Sequence, residues 1–171
     1  MLDNKLNIIE LAETNILARE GFFLTKNIEG YKSFWTNACS DKKKGSGVSL
    51  LISSQWEKHL GQIDRINKSM ILASFMFKQL EIIVIMTYLT PNDKEKQRVI
   101  QKTIIDKYIK RLKRTQIVVM VDFNSVIDIN LDRLTKSKKK QSKPNPLLGW
   151  LKRQEFINAF RLINPELKEV S

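Results

Sequence analysis

The segment Leu80–Leu89 reads LEIIVIMTYL and lies between Lys78-Gln79 and Thr90-Pro91-Asn92-Asp93. A strand that is apolar at nearly every successive position has to be covered on both faces. It belongs at the centre of a sheet with further layers on either side, and this constrains the rest of the chain. Val48–Ile52 (VSLLI) and Gln116–Val121 (QIVVMV) are strands by their aliphatic and β-branched content. Leu6–Leu11 (LNIIEL) reads as a short buried strand. Met70–Phe77 reads as another, joined to the apolar run through a two-residue turn at Lys78-Gln79 that lacks the usual glycine. Gly21–Leu24 is a small second element. Trp35–Gly47 is loop, punctuated by Gly45-Ser46-Gly47. Ser53–Lys68 fits neither the helical nor the strand period.

A helix is expected over residues 93–114. Asn92 as N-cap with Glu95 three residues into the helix approximates a capping box. Val99, Ile100, Thr103, Ile104, Tyr108 and Leu112 then recur at three- and four-residue spacing. The opposite face is basic, and cations near its C-terminal end suit the helix dipole. Asp128–Pro146 is loop and contains the run Lys136–Lys143. Pro146–Phe160 forms one or two short helices. Strands alternate with helices or loops, and some follow each other directly. That order predicts an α/β fold with mixed strand pairing.

With 171 residues the chain is expected to be a single domain. Lys+Arg 30 against Asp+Glu 18 leaves a net charge of +12, a field that attracts phosphate polyanions. One cysteine (Cys39) excludes an intramolecular disulfide, and one histidine (His59) beside it argues against a zinc site. His59, in WEKHL, reads as an exposed or half-packed residue. The N-terminus has no basic segment followed by a long apolar run. The longest apolar run is too short to cross a bilayer. The expectation is an intracellular protein, nuclear or cytoplasmic, with nucleic acid rather than membrane as its partner.

Two of the apolar strands run out into acids. Glu13 follows the first and Asp122 ends QIVVMVD. Carboxylates held at a sheet rim stand where ligands of α/β folds commonly bind. A pair of them would hold a hard divalent cation, and such a cation polarises phosphoryl oxygens. Asn124, two residues beyond Asp122, shares its side of an extended segment. Tyr88 and Asn92 close the long apolar strand at the same rim. Each residue alone also fits a plain cap, turn or packing role, so the weight lies in their order.

That order carries a resemblance. LAETN (Leu11–Asn15), GSGVSLLIS (Gly45–Ser53), IIVIMTYLTPND (Ile82–Asp93), IVVMVDFNSVID (Ile117–Asp128) and FINAFRLINP (Phe156–Pro165) follow one another at suitable spacing. Together they resemble the endonuclease/exonuclease/phosphatase superfamily, whose fold is that of deoxyribonuclease I and the abasic-site endonucleases. The wording is most similar to the endonuclease domains of non-LTR retrotransposons. The resemblance implies a four-layer sandwich of two mixed sheets flanked by helices. It implies a Mg²⁺- or Mn²⁺-dependent phosphodiesterase acting on nucleic acid, with DNA ahead of RNA. Glu13 would be the metal-binding glutamate. Asp122 and Asn124 would act on the attacking water and the phosphate. Tyr88 would support the scissile phosphate, with Asn92 beside it. Lys42, Lys43, Lys44, Lys138, Lys139 and Lys140 would follow the nucleic-acid backbone by charge alone.

The sequence departs from the family pattern at several points. Val121 stands where the family has glycine, Ala12 where it has a polar residue, and Asn158 where it has an acid. An N-terminal asparagine strand and a terminal Ser-Asp-His are not found in it. The expectation is a domain incomplete at both termini, with a partner chain as one source of the missing strands. Two readings follow: a metal-dependent nuclease, or a truncated copy without catalysis that acts as a basic nucleic-acid-binding module.

Overall fold

The computed structural model describes residues 6–37, 46–89, 93–109, 114–122 and 145–167, with side chains as far as 106 in the third helix. The elements run β1 (Ile8–Ala12), α1 (Ala18–Thr25), β2 (Tyr31–Trp35), β3 (Val48–Ser53), α2 (Ser54–Glu57) and β4 (Leu60–Asn67). They continue with β5 (Met70–Phe77), β6 (Leu80–Tyr88), α3 (Lys94–Ile109), β7 (Thr115–Asp122), α4 (Pro146–Arg153) and α5 (Ala159–Ile163). The architecture is α/β: two sheets and, among the described residues, five helices. The chain divides into two compact units. One comprises Met1–Leu89 and Lys102–Asp122, the other Thr90–Gln101 and Phe123–Ser171.

Both sheets belong to the first unit. One is three-stranded and antiparallel, in the order β1-β3-β2. The other is four-stranded, in the order β4-β5-β6-β7, antiparallel except for the parallel pair β6–β7. The apolar run that constrains the sequence is β6. It lies inside its sheet, and its residues from Ile83 to Tyr88 are buried, as its composition requires. Alternate residues Val48, Leu50 and Ile52 of β3 meet Ile71, Ala73 and Phe75 of β5 and Val84, Met86 and Tyr88 of β6 in one core. Ile8 and Ala12 of β1 and Met120 of β7 pack at its margin. Trp56, on α2, meets Phe75 edge-on at 5.2 Å. His59 stacks on Phe77 and is half-buried, a packing role.

The turn at Lys78-Gln79 forms as expected. Lys78 takes the left-handed conformation (φ 51) where glycine is usual. The stretch that fitted no period resolves into α2, capped by the Ser53 hydroxyl, and β4, a mostly exposed edge strand. β2 lies where the sequence suggested no strand.

Helix α1 docks on the outer face of the three-stranded sheet by its smallest residues. Gly21 lies against the Trp35 indole, and the Thr25 hydroxyl meets that of Ser33 at 2.6 Å. Phe22, Phe23 and Leu24 face solvent. A Cβ on Gly21 would stand 2.2 Å from the Trp35 ring. Gly21→Ala, which in an exposed helix would stabilise by roughly 0.5–1 kcal/mol, is therefore expected to destabilise by about 1–3 kcal/mol. Thermal unfolding reads the sign, and a raised melting temperature would place Trp35 elsewhere.

In the second unit α4 begins with Pro146 at its first turn, and the Asn145 side chain accepts from the Leu147 N–H at 2.9 Å. Asn158 caps α5 in the same way, accepting from the Arg161 N–H at 3.2 Å. The asparagine that departs from the family pattern is thus an N-cap. Asp93, rather than Asn92, supplies the described cap of α3, accepting from the Lys96 N–H at 2.9 Å. α3 is described as far as Ile109; the next four expected helical positions lie outside the described residues, and Arg114 itself is not helical. Among the described residues, no helix is long and apolar enough to cross a membrane.

Candidate active site

Of the residues singled out in the sequence, Glu13, Tyr88 and Asp122 fall among those described. Asn92, Asn124, Lys42, Lys43, Lys44, Lys138, Lys139 and Lys140 lie outside the described residues.

The parallel ladder between β6 and β7 sets the first part of the geometry. Its last pair is Tyr88 with Asp122, so the two predicted residues are direct neighbours across the strands. Even-numbered residues of β6 and β7 face the three-stranded sheet, as Val84, Met86, Tyr88 and Met120 show. By the same alternation Asp122 sits on that face, at the strand end. Tyr88 is 4% exposed and belongs to the core, whereas Asp122 is exposed at the rim.

Glu13 leaves β1 in the left-handed conformation (φ 52), as does Asn15 (φ 52). Such a backbone costs roughly 1–2 kcal/mol at a residue with a Cβ and is held by the surrounding bonds. Asn15 Nδ2 donates to the Glu13 carbonyl at 2.8 Å. The Thr14 and Asn15 amides donate to the carbonyls of Gly47 and Ser46 at 3.1 and 2.9 Å. Gly47 itself has φ 81, and a Cβ there would lie 2.3 Å from Thr14 Oγ1. Only glycine fits that turn. Those bonds fix the backbone from which the exposed Glu13 carboxylate projects.

One functional candidate was not singled out in the sequence. Glu10 lies on the core face of β1, between Ile8 and Ala12. Its Oε1 is fully buried without a hydrogen-bond partner. Burial first, and then the charge of Asp122, push its carboxyl up to about 8, against a smaller opposing effect of the Thr87 backbone. The signal in the sequence was slight: Glu10 is the single charged residue of β1.

The β6–β7 ladder thus brings Tyr88 and Asp122 together, and the charge of Asp122 reaches Glu10 on β1; Glu13 projects from the turn that follows β1. Among the described residues, no group of three or more His, Cys, Asp or Glu side chains could hold a metal ion. Glu13 and Asp122 offer hard carboxylate oxygens in exposed positions. They suit a cation such as Mg²⁺, which keeps several waters and takes only one or two protein carboxylates.

No family model and no curated protein matches the sequence. The chain is similar in structure to an AP endonuclease, LMAP from Leishmania major, with a TM-score of 0.72 and 13% identity. That match covers 98% of this chain and 63% of the other. It is also similar to a truncated TDP2 from Caenorhabditis elegans, with a TM-score of 0.50, 12% identity, and coverage of 76% of this chain and 54% of that one. The endonuclease domain of TRAS1, a telomere-specific non-LTR retrotransposon, matches at a TM-score of 0.46 and 15% identity, over 87% and 60% of the two chains; at that level it carries no argument. This chain therefore spans less than two thirds of the length of each. The sheet order agrees with the first two likenesses: the chain has the fold of these structures, the deoxyribonuclease I-like fold that the sequence resemblance implies.

Proposed function

We propose that this chain is a divalent-metal-dependent phosphodiesterase of endonuclease type, acting on nucleic acid and on DNA ahead of RNA. The observation that carries the reading is the pairing of the buried Tyr88 with the exposed Asp122 at the ends of β6 and β7, in a fold similar to that of an AP endonuclease.

The chemistry divides among few residues. Glu13, exposed on a braced backbone, would hold Mg²⁺ or Mn²⁺. The cation supplies charge neutralisation at the scissile phosphate when bound. Asp122 orients the attacking water and accepts its proton. Tyr88, rigid in the core, offers its hydroxyl to the phosphate, and Asn124 and Asn92 complete the phosphate contacts. The net charge of +12 draws the polyanion in, with affinity that falls steeply with salt and carries little sequence preference.

One alternative is a non-catalytic basic module that binds nucleic acid, which the net charge of +12 supports. Supercoiled plasmid separates the two. Nicking by the purified chain in Mg²⁺, abolished by EDTA and by Glu13→Gln, is the expected result. A folded chain that binds plasmid in a salt-dependent way and never nicks it would establish the binding module instead.

A further inference from the structure

The hairpin between β4 and β5 turns at Lys68-Ser69. Met70 of β5 pairs with Thr87 of β6, so this turn stands at the end of the four-stranded sheet where β6 finishes at Tyr88. The Tyr88 amide donates to the Ser69 carbonyl at 3.2 Å. The three-stranded sheet reaches the turn as well. The Gly47 amide donates to the Lys68 carbonyl at 3.0 Å, and the Thr36 hydroxyl donates to the same oxygen at 2.8 Å. Gly47 in turn accepts from the amide of Thr14, one residue past Glu13, at 3.1 Å. The Lys68 backbone is therefore tied to both sheets, at the rim that carries Glu13, Tyr88 and Asp122.

The two side chains that this turn leaves free offer donors only. Asn67 Oδ1 accepts from the Ser69 amide at 2.8 Å and from the Ser69 hydroxyl at 3.1 Å. Those bonds engage the oxygen end of the Asn67 amide and leave Nδ2 as the donor end. Among the described residues, neither Asn67 Nδ2 nor Lys68 Nζ has an acceptor, and both residues are exposed. Arg65, the other cation of this hairpin, is engaged: its Nε donates to the Trp35 carbonyl at 2.8 Å. Two free donors on a fixed turn, one of them cationic, suit a phosphate oxygen. The turn stands two strand spacings from Asp122, about 10 Å. A phosphate held there flanks the one beside Asp122.

We propose that the Asn67-Lys68 turn is a binding site for a nucleic-acid backbone phosphate that flanks the scissile one. The inference rests on the nucleic-acid reading given above and adds a subsite to it.

Binding of a labelled DNA duplex to the full chain, in EDTA over a series of salt concentrations, tests it. Lys68→Gln should weaken binding and flatten the slope of log K against log salt by about 0.9, the value for one phosphate contact. Lys68→Arg should restore the slope. Asn67→Asp keeps the acceptor for Ser69, replaces the donor by a negative charge, and should weaken binding as well. Lys58→Gln removes the same charge beyond the other end of β4 and should leave the slope at the wild-type value. Lys68 gives only its carbonyl to the fold, so Lys68→Gln should melt with wild type. A wild-type slope in Lys68→Gln, or an equal change in Lys58→Gln, would overturn the proposal while the nuclease reading stands. A chain that binds no duplex would overturn both. If the slope changes as stated and the chain never nicks plasmid, the catalytic reading fails and the phosphate site stands.

Discussion

Asp122→Asn is expected to slow metal-dependent nicking by about 10²–10⁴-fold, the usual worth of a positioned general base. Asparagine is nearly isosteric and stays at the end of the β6–β7 ladder, so the loss is chemical. Thermal unfolding of the variant separates a chemical loss from a loss of fold. Single-turnover nicking at saturating Mg²⁺, with thermal unfolding alongside, reads both quantities. A variant within threefold of wild type would move the water-handling role to another residue.

The second large effect concerns stability. The Glu10 carboxyl is raised from 4.5 to about 8 in the folded chain. Between those values the unfolded chain has released the proton and the folded chain still holds it. Folding is then opposed as pH rises, with a limiting slope of about 1.4 kcal/mol per pH unit. Below 4.5 both states are protonated and the stability is fully present. Above about 8 the penalty is complete and the slope vanishes. Glu10→Gln removes the titration. It should be close to wild type near pH 4 and more stable by several kcal/mol near pH 8. Urea unfolding at a series of pH values measures the difference, and parallel curves for the two proteins would refute the burial of this acid.

Much of the fold was legible in the sequence because its central strands carry unmistakable patterns. β6 could be placed inside a sheet from its apolar run alone. β3, β5 and β7 followed from their aliphatic content, and the mixed pairing from their order. The rest was hidden for physical reasons. α1 buries Gly21 and Thr25 and exposes Phe22, Phe23 and Leu24, so its apolar residues trace no buried face. β4 and β2 are edge strands in which polar residues are tolerated, and their pattern is correspondingly weak. At the candidate site, the positions of Tyr88 and Asp122 at strand ends and of Glu13 just after one were legible, while their roles are the proposal made above. Glu10 was not, because one acid within an apolar strand reads as noise until the opposite sheet shows what it faces.

The parallel pairing of β7 also has a consequence for the order of assembly. β4, β5 and β6 are joined by turns of two residues and close their ladders locally. β7 reaches β6 only after a crossover that contains all of α3. Closing that longer loop costs more chain entropy before any ladder bond forms. Along β7 the residues are only half-buried or exposed, and Val118 is 44% exposed where it lines a cleft between the two sheets. The hairpin platform of β4, β5 and β6 is thus expected to close before β7 joins it, and β7 carries Asp122 to the β6 edge as a later step.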